Sequence, residues 1–170
     1  MTVLAEDDLQ MTLPATVSGR KFDDEATHGL SHCMKAVDFM IELQDRVLFV
    51  EFKDPENPTA QTKDRAAFLR KFMSGQIDAD LKTKYRDSWL YEWAQGRIEK
   101  PITYLVLLGA STLSAADLLV RTEALKRQLP VNGPNDQPWK QPFVAECAVM
   151  NLATWNKVFP QFPVSRIASQ

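Results

Sequence analysis

The segment that most restricts the fold is ITYLVLLG, residues 102–109, an almost continuous apolar run that includes β-branched residues. A strand with one face in water alternates apolar and polar residues, whereas a run that is apolar throughout is typical of a strand buried on both faces. Parallel strands of this kind are joined by helical crossovers that cover the sheet. The segment therefore predicts an α/β protein with a covered central sheet.

The rest of the chain supplies the elements that such a sheet needs. Apolar and polar residues alternate over residues 35–43 and 46–53, which predicts two strands joined by a short turn. Helical periodicity covers residues 59–73, 77–95 and 114–129, a strand is predicted over residues 143–150, and Asn151 is expected to cap a last short helix. We expect an α/β fold, bordering on α+β, with three layers and a mixed central β-sheet flanked by helices.

Composition and charge limit the class of protein. The chain has 170 residues, of which 45% are hydrophobic and 25% charged, so we expect a single domain over residues 1–170 with its core at about 20–160. The net charge of -2 excludes binding that depends on an overall positive field. Gly109 and Asp117 interrupt the most apolar segment, so we expect no membrane span. Two cysteines predict a cytoplasmic location.

Three charged residues of the apolar hairpin, Asp38, Glu51 and Lys53, come together in the predicted register. If the turn is centred on Gln44 and Asp45, the register sets Asp38 directly opposite Glu51. Side chains that face each other across an antiparallel pair have Cβ atoms roughly 4.5 to 5.5 Å apart. The two carboxylates are therefore predicted to share one small volume, and Lys53, two residues beyond Glu51, points to the same face of the sheet.

This arrangement predicts a metal site. Two like charges at that range repel, and a divalent cation that accepts oxygens from both carboxylates relieves the repulsion. Asp38 and Glu51 are the candidate metal ligands, for which Mg²⁺ or Mn²⁺ is the expected ion. Lys53 has only the small Ala36 across from it, so its ammonium can reach the same place. Two acids and a lysine at an open metal position suit phosphodiester hydrolysis.

The residues VD at 37–38, followed by VEFK at 50–53 on an apolar strand, resemble the PD-(D/E)xK nuclease superfamily. The resemblance covers the hairpin closely and the next helix, strand and helix in outline. It implies a restriction-endonuclease-like fold, metal binding by Asp38 and Glu51, and a catalytic site formed by these two acids with Lys53, which assists the water. Val37 stands in place of the family's proline. The acid that many members supply from an N-terminal helix has no clear equivalent, and Glu25 is the best candidate.

Three other motifs are weaker. A second (D/E)xK tripeptide, at residues 80–82, lies in a charged helical segment without a strand partner. His28 and His32 are four residues apart with Cys33 adjacent, a spacing that zinc ligands on a helix can have, but no second ligand pair accompanies them. Trp89 and Trp93 are also four apart, and we expect them to pack in the core rather than to stack on bases.

Basic residues follow the hairpin on both predicted helices. They are Lys63, Arg65, Arg70 and Lys71 on the first, and Lys82, Lys84 and Arg86 on the second. Such clusters form either a local patch that holds the backbone of DNA or RNA, or an ordinary solvated face, because aspartates are interspersed among them.

The sequence thus leaves three functional hypotheses. The first is a Mg²⁺-dependent nuclease. The second is a catalytically inactive protein of the same fold that acts as a binding or interaction module with a protein partner, by analogy in a defence or mobile-element system. The third is a structural subunit whose charged stripe, formed by Asp38, Glu51 and Lys53, lies at an oligomer interface.

Overall fold

The computed structural model describes residues 1–131, 133–134, 139–140 and 143–167, apart from the side chains of Thr27 and His28. The strands are β1 (Thr2–Glu6), β2 (Leu9–Leu13), β3 (Ser18–Lys21), β4 (Phe39–Glu42), β5 (Val47–Lys53), β6 (Ile102–Leu108), β7 (Glu146–Asn151) and β8 (Val164–Arg166). The helices are α1 (Glu25–His28), α2 (Thr62–Met73), α3 (Asp78–Ala94), α4 (Ala115–Gln128) and α5 (Leu152–Val158).

The central sheet has five strands in the order β3-β4-β5-β6-β7. Its first three strands are antiparallel neighbours, and β5, β6 and β7 run parallel. Two helices, α2 and α3, connect β5 to β6, and α4 connects β6 to β7. Every residue of β6 is buried, as expected for the middle strand of the parallel part. The predicted mixed sheet is confirmed.

Each face of the central sheet packs against its own layer. On one face, Phe49 and Tyr104 of the sheet share a hydrophobic cluster with Leu81 of α3 and Leu125 of α4. We call this the helical face. The predicted three-layer α/β architecture is therefore confirmed.

The opposite face is covered by more than helices. A second sheet, of three strands in the order β1-β2-β8, lies there together with α5, whose Trp155 is fully buried. Leu9, Met11 and Leu13 of β2 are fully buried at alternate positions, whereas the residues between them are partly exposed. This period of two is a strand signal, although the short β1 and β8 give much weaker ones.

Hydrogen bonds explain where the elements begin and end. Ser114 and Asp117 form a capping box at the start of α4, and the Asn151 side chain accepts from Thr154 N at the start of α5, as predicted. The strand predicted over residues 35–43 is shorter in the structure. Its first part leaves the ladder because Val37 N donates to the Ser88 hydroxyl of α3 instead of to a strand.

In the described ranges, no helix combines the length and the apolar composition needed to cross a membrane.

Arg166 of β8 connects the second sheet to the ends of two central strands. Its guanidinium donates to both carboxylate oxygens of Asp54, at 2.8 and 3.0 Å, to Asp8 at 3.1 Å, and to the Gly109 carbonyl at 3.0 Å. Asp54 follows β5 and Gly109 follows β6, and the Asp54 side chain has no exposed surface. This clamp fixes the carboxyl ends of β5 and β6 relative to each other.

We expect Gly109→Ala to lower the free energy of unfolding by about 1–3 kcal/mol. A Cβ at this position comes within 2.3 Å of Asp54 Oδ1 and pushes the carboxylate away from Arg166. Urea unfolding measures the change. In an Arg166→Met background the same substitution should lower the free energy of unfolding by less, because the ion pair between Arg166 and Asp54 is already absent. An equal loss in both backgrounds would contradict this explanation.

Candidate functional site

The hairpin has the register expected from the sequence. Phe39 pairs with Val50 and Glu42 with Val47, so Asp38 and Glu51 are the next positions in the same register. Asp38 lies just before β4, and its Oδ2 accepts a hydrogen bond of 2.6 Å from Phe52 N. This bond fixes one carboxylate oxygen and leaves Oδ1 for other partners.

The structure brings the three predicted residues together on the helical face. Glu51 is fully buried and Asp38 is 3% exposed. Lys53 Nζ lies 2.5 Å from Glu51 Oε1, and the Lys53 side chain is 26% exposed to solvent. The cluster lies near the carboxyl end of β5, the position where α/β proteins commonly bind ligands.

A fourth charged residue, Lys84 of α3, belongs to the same cluster. Its Nζ lies 2.7 Å from Glu51 Oε1 and 3.4 Å from Asp38 Oδ1, and the side chain is only 14% exposed. The assignment of Lys84 to a basic cluster facing solvent was therefore wrong. The two carboxylates do share a bridging cation in the structure, and that cation is an ammonium.

Lys84 lies on the buried stripe of α3. The residues at spacings of three and four that face the sheet are Leu81, Lys84, Tyr85, Ser88 and Glu92. Three of these five are polar or charged, so hydrophobic periodicity does not mark the stripe. A lysine in register with a buried leucine and tyrosine is the signal that could have identified it.

Burial and neighbouring charges shift the pKa values of the cluster. Burial, and after it the Glu51 charge, raise the pKa of Asp38 to about 7, against the opposing effects of the Lys84 charge and the hydrogen bond from Phe52. Burial also raises the pKa of Glu51, against the opposing charges of Lys53 and Lys84. Burial by itself lowers the pKa of Lys84, but the charges of Glu51 and Asp38 outweigh it, so that pKa is raised.

The carboxylate pair fits a small, hard cation. Both oxygens of Glu51 are buried: Oε1 faces the ammonium groups of Lys53 and Lys84, at 2.5 and 2.7 Å, whereas Oε2 has no hydrogen-bond partner among the described residues. A buried carboxylate oxygen without a partner is a position that a cation can fill. In the described part of the chain, no group of three or more His, Cys, Asp or Glu side chains is placed to hold a metal. Two carboxylates are nevertheless enough for Mg²⁺, which keeps several waters.

Glu25 does not reach this cluster. It begins α1 at the surface, where its carboxylate accepts a hydrogen bond from the Ser31 hydroxyl. Asp23 is the acid of this segment that borders the site, with Oδ2 3.9 Å from Lys84 Nζ and a side chain that is 44% exposed. The prediction of Glu25 as the additional acid is therefore wrong, because its exposed carboxylate is bonded to Ser31 instead.

The other motifs lie elsewhere. The second (D/E)xK copy is on α3, where Asp80 pairs with Lys35 and not with a strand residue. Helix α1 ends at His28, with the next residue left-handed, so His28 and His32 do not share a helix face. Trp89 packs edge-on against Phe143 at 5.1 Å between centroids and stacks on Trp93, which is exposed.

Most of the remaining basic residues lie on the surface. Lys63, Arg70, Lys71 and Arg86 are exposed. Arg65 is half-buried and donates to the Asn57 carbonyl, and Lys82 contacts Gln128. The part of the patch on α2 is therefore available to solvent, while the part on α3 is divided between the surface and the site.

Comparison with protein-family models, with curated proteins and with solved structures gives no match to this chain. The molecule is thus defined by its fold and its site: a three-layer α/β protein with a buried cluster of two acids and two lysines beside the carboxyl end of β5.

Replacing Asp38 should change how stability depends on pH. Because the pKa of Asp38 is raised in the folded state, the folded protein holds a proton that the unfolded chain releases, and stability falls as pH rises from about 4 to about 7. Asp38→Asn removes this loss. We expect the free energy of unfolding of the variant, relative to that of the original protein, to rise by on the order of 2–4 kcal/mol from pH 4 to pH 8.

Urea unfolding at both pH values, with EDTA present, measures this difference. Asp45→Asn, at the exposed hairpin turn, is the matched control and should follow the original protein. A constant difference between Asp38→Asn and the original protein across this range would show that Asp38 is ionised throughout.

Proposed function

We propose that this protein is a Mg²⁺- or Mn²⁺-dependent nuclease of the PD-(D/E)xK type, with a restriction-endonuclease-like fold. Asp38 and Glu51 hold the metal, and Lys53 completes the catalytic site. The observation that carries the proposal is the fully buried Glu51 carboxylate, whose Oε2 has no hydrogen-bond partner among the described residues and which faces a second carboxylate and a lysine. The cytoplasm is the proposed location.

The arrangement of strands supports this assignment. An antiparallel group, β3-β4-β5, continues through helices into the parallel strands β6 and β7, as the resemblance predicts. Glu51 and Lys53 lie on β5, where the antiparallel and parallel parts of the sheet meet. A crevice at such a change in the sheet is a common place for a ligand.

Hydrolysis of a phosphodiester requires a water oxygen to attack phosphorus and lose a proton, while the opposite P–O bond breaks and the leaving oxygen gains a proton. A bound divalent ion lowers the pKa of water and neutralises charge on the phosphate. Lys53 is the partly exposed member of the cluster, so its ammonium can contact the phosphate or orient the attacking water. Phe52 N orients Asp38 through Oδ2, so Oδ1, which accepts from Lys84 in the structure, would be the oxygen that holds the ion.

Nucleic acid is the proposed substrate because α2 presents a row of cations. Lys63, Arg70 and Lys71 are exposed on the helix that follows β5, and no ion pair with an acid involves them among the described residues. Such side chains bind phosphates without regard to sequence. The net charge of -2 means that this local surface, and not the whole protein, supplies the attraction.

One observation favours a second candidate function. Lys84 and Lys53 together neutralise the formal charges of Asp38 and Glu51, so the cluster is balanced without a metal. A nuclease fold with an internally neutralised site suits a catalytically inactive binding module that acts through a protein partner. Cleavage and metal binding distinguish the two functions.

We expect the protein to cleave nucleic acid with Mg²⁺ or Mn²⁺ and not with EDTA. Asp38→Ala and Lys53→Ala should each reduce the rate at least about 100-fold, because they remove a metal ligand and a group at the reacting phosphate. Single-stranded, double-stranded and branched DNA and RNA are the substrates to compare. Lys82→Ala is the matched control, because Lys82 lies two residues before Lys84 on α3 but its Nζ contacts Gln128.

Equal activity in the original protein and both site variants would mean a contaminant or a different site. No activity on any of these substrates, together with no Mn²⁺ binding, would leave the binding module as the better assignment.

Charge on α2 should set affinity for nucleic acid. We expect Arg70→Ala with Lys71→Ala to weaken binding about tenfold at low salt and to reduce its salt dependence, because fewer counterions are released. Fluorescence anisotropy with labelled DNA and RNA, in Ca²⁺ to prevent cleavage, gives both quantities. Arg46→Ala, at the hairpin turn, serves as a charge-loss control. Unchanged affinity in the double variant would remove α2 from the interface.

A further inference from the structure

Lys84 occupies the place where a metal would bridge the two carboxylates. Its ammonium is 2.7 Å from Glu51 and 3.4 Å from Asp38, so it contacts both proposed metal ligands. Lys53, in contrast, has an ion pair with Glu51 and with no other acid in the described part of the chain. A divalent ion bound between the same oxygens would lie within a few Å of the Lys84 ammonium, and two cations at that distance repel strongly.

We propose that Lys84 is a displaceable counterion: a divalent cation and the Lys84 ammonium compete for Asp38 and Glu51, and the cation moves Lys84 to Asp23. This inference rests on the proposed function, because it assumes that Asp38 and Glu51 bind the metal. It adds a residue from α3 to the site and gives that residue two positions.

Asp23 is the receiving partner because of where it lies. Its Oδ2 is 3.9 Å from Lys84 Nζ, on the solvent side of the cluster, and its side chain is 44% exposed. A lysine side chain has four rotatable bonds, so small rotations bring the ammonium into full contact with Asp23.

The helix that carries Lys84 does not need to move. Ser88 accepts a hydrogen bond from Val37 N at 2.9 Å, one turn further along the same face of α3. The Tyr85 hydroxyl donates to the Phe143 carbonyl, and the Tyr104 hydroxyl donates to the Leu81 carbonyl at 3.1 Å. These bonds anchor α3 on both sides of Lys84, so that displacement is confined to the side chain.

Mn²⁺ titration of the full chain, followed by electron paramagnetic resonance, tests the competition. Lys84→Met keeps the length of the side chain but removes the ammonium, and we expect Mn²⁺ to bind about tenfold more tightly or better. Lys82→Met, on a neighbouring position of α3, should leave the affinity unchanged. Lys53→Met should give a smaller gain than Lys84→Met, because Lys53 contacts one of the two ligands.

A double-mutant cycle with Asp23→Asn separates displacement from a general effect of charge. If Asp23 receives Lys84, Asp23→Asn weakens Mn²⁺ binding in the original protein and has little effect in the Lys84→Met background. If Asp23 acts only as a distant negative charge, the weakening is equal in both backgrounds, and displacement to Asp23 is wrong.

The outcomes distinguish this inference from the proposed function. No Mn²⁺ binding in either the original protein or Lys84→Met overturns the metal site itself. Binding of equal strength in both, abolished by Asp38→Ala, keeps the metal site and overturns the competition. If Lys84→Met fails to fold, a crystal structure of the original protein with Mn²⁺ decides, because Lys84 Nζ must then lie closer to Asp23 than to Glu51.

Discussion

The buried charge of Glu51 is the constraint on which the site and its surroundings depend. A carboxylate without exposed surface is stable in its ionised form only when cations stand close to it. The chain supplies one from the same strand, Lys53, and one from a helix, Lys84. The strand lysine is fixed by local geometry, but the helix lysine can reach Glu51 only if α3 lies across β5. The packing of α3 across β5 therefore also determines whether Lys84 can neutralise Glu51.

The buried stripe of α3 shows how the helix is held. Besides Lys84, Asp78 pairs with Arg121 of α4, and Glu92 accepts from Arg20 of β3. Polar contacts with partners on three other elements specify direction and register more narrowly than apolar packing, which tolerates sliding. We infer that the polar residues of the stripe bury less apolar surface than apolar residues would, but that they fix the position of α3 more narrowly. That placement brings an ammonium to the carboxylate pair.

Strand patterns predicted β4 to β7 of the central sheet, but not β3, and they predicted the meeting of Asp38, Glu51 and Lys53, because a period of two and a short turn determine which residues face each other. They were not sufficient for Lys84, whose partner is 33 residues away on another element, a separation that no local pattern encodes. The second sheet was missed for a similar reason. Its middle strand, β2, has a clear alternation, but β8 contributes three residues and depends on pairing with the other end of the chain.

That pairing has a consequence for the order in which the molecule assembles. Leu9 lies beside Arg166, so closing the second sheet joins segments separated by almost the whole chain, and contacts of this range form slowly. Until β8 docks, the Asp54 carboxylate lacks the guanidinium that neutralises it. The far end of the chain therefore supplies the cation for Asp54, the residue that directly follows the strand of Glu51 and Lys53.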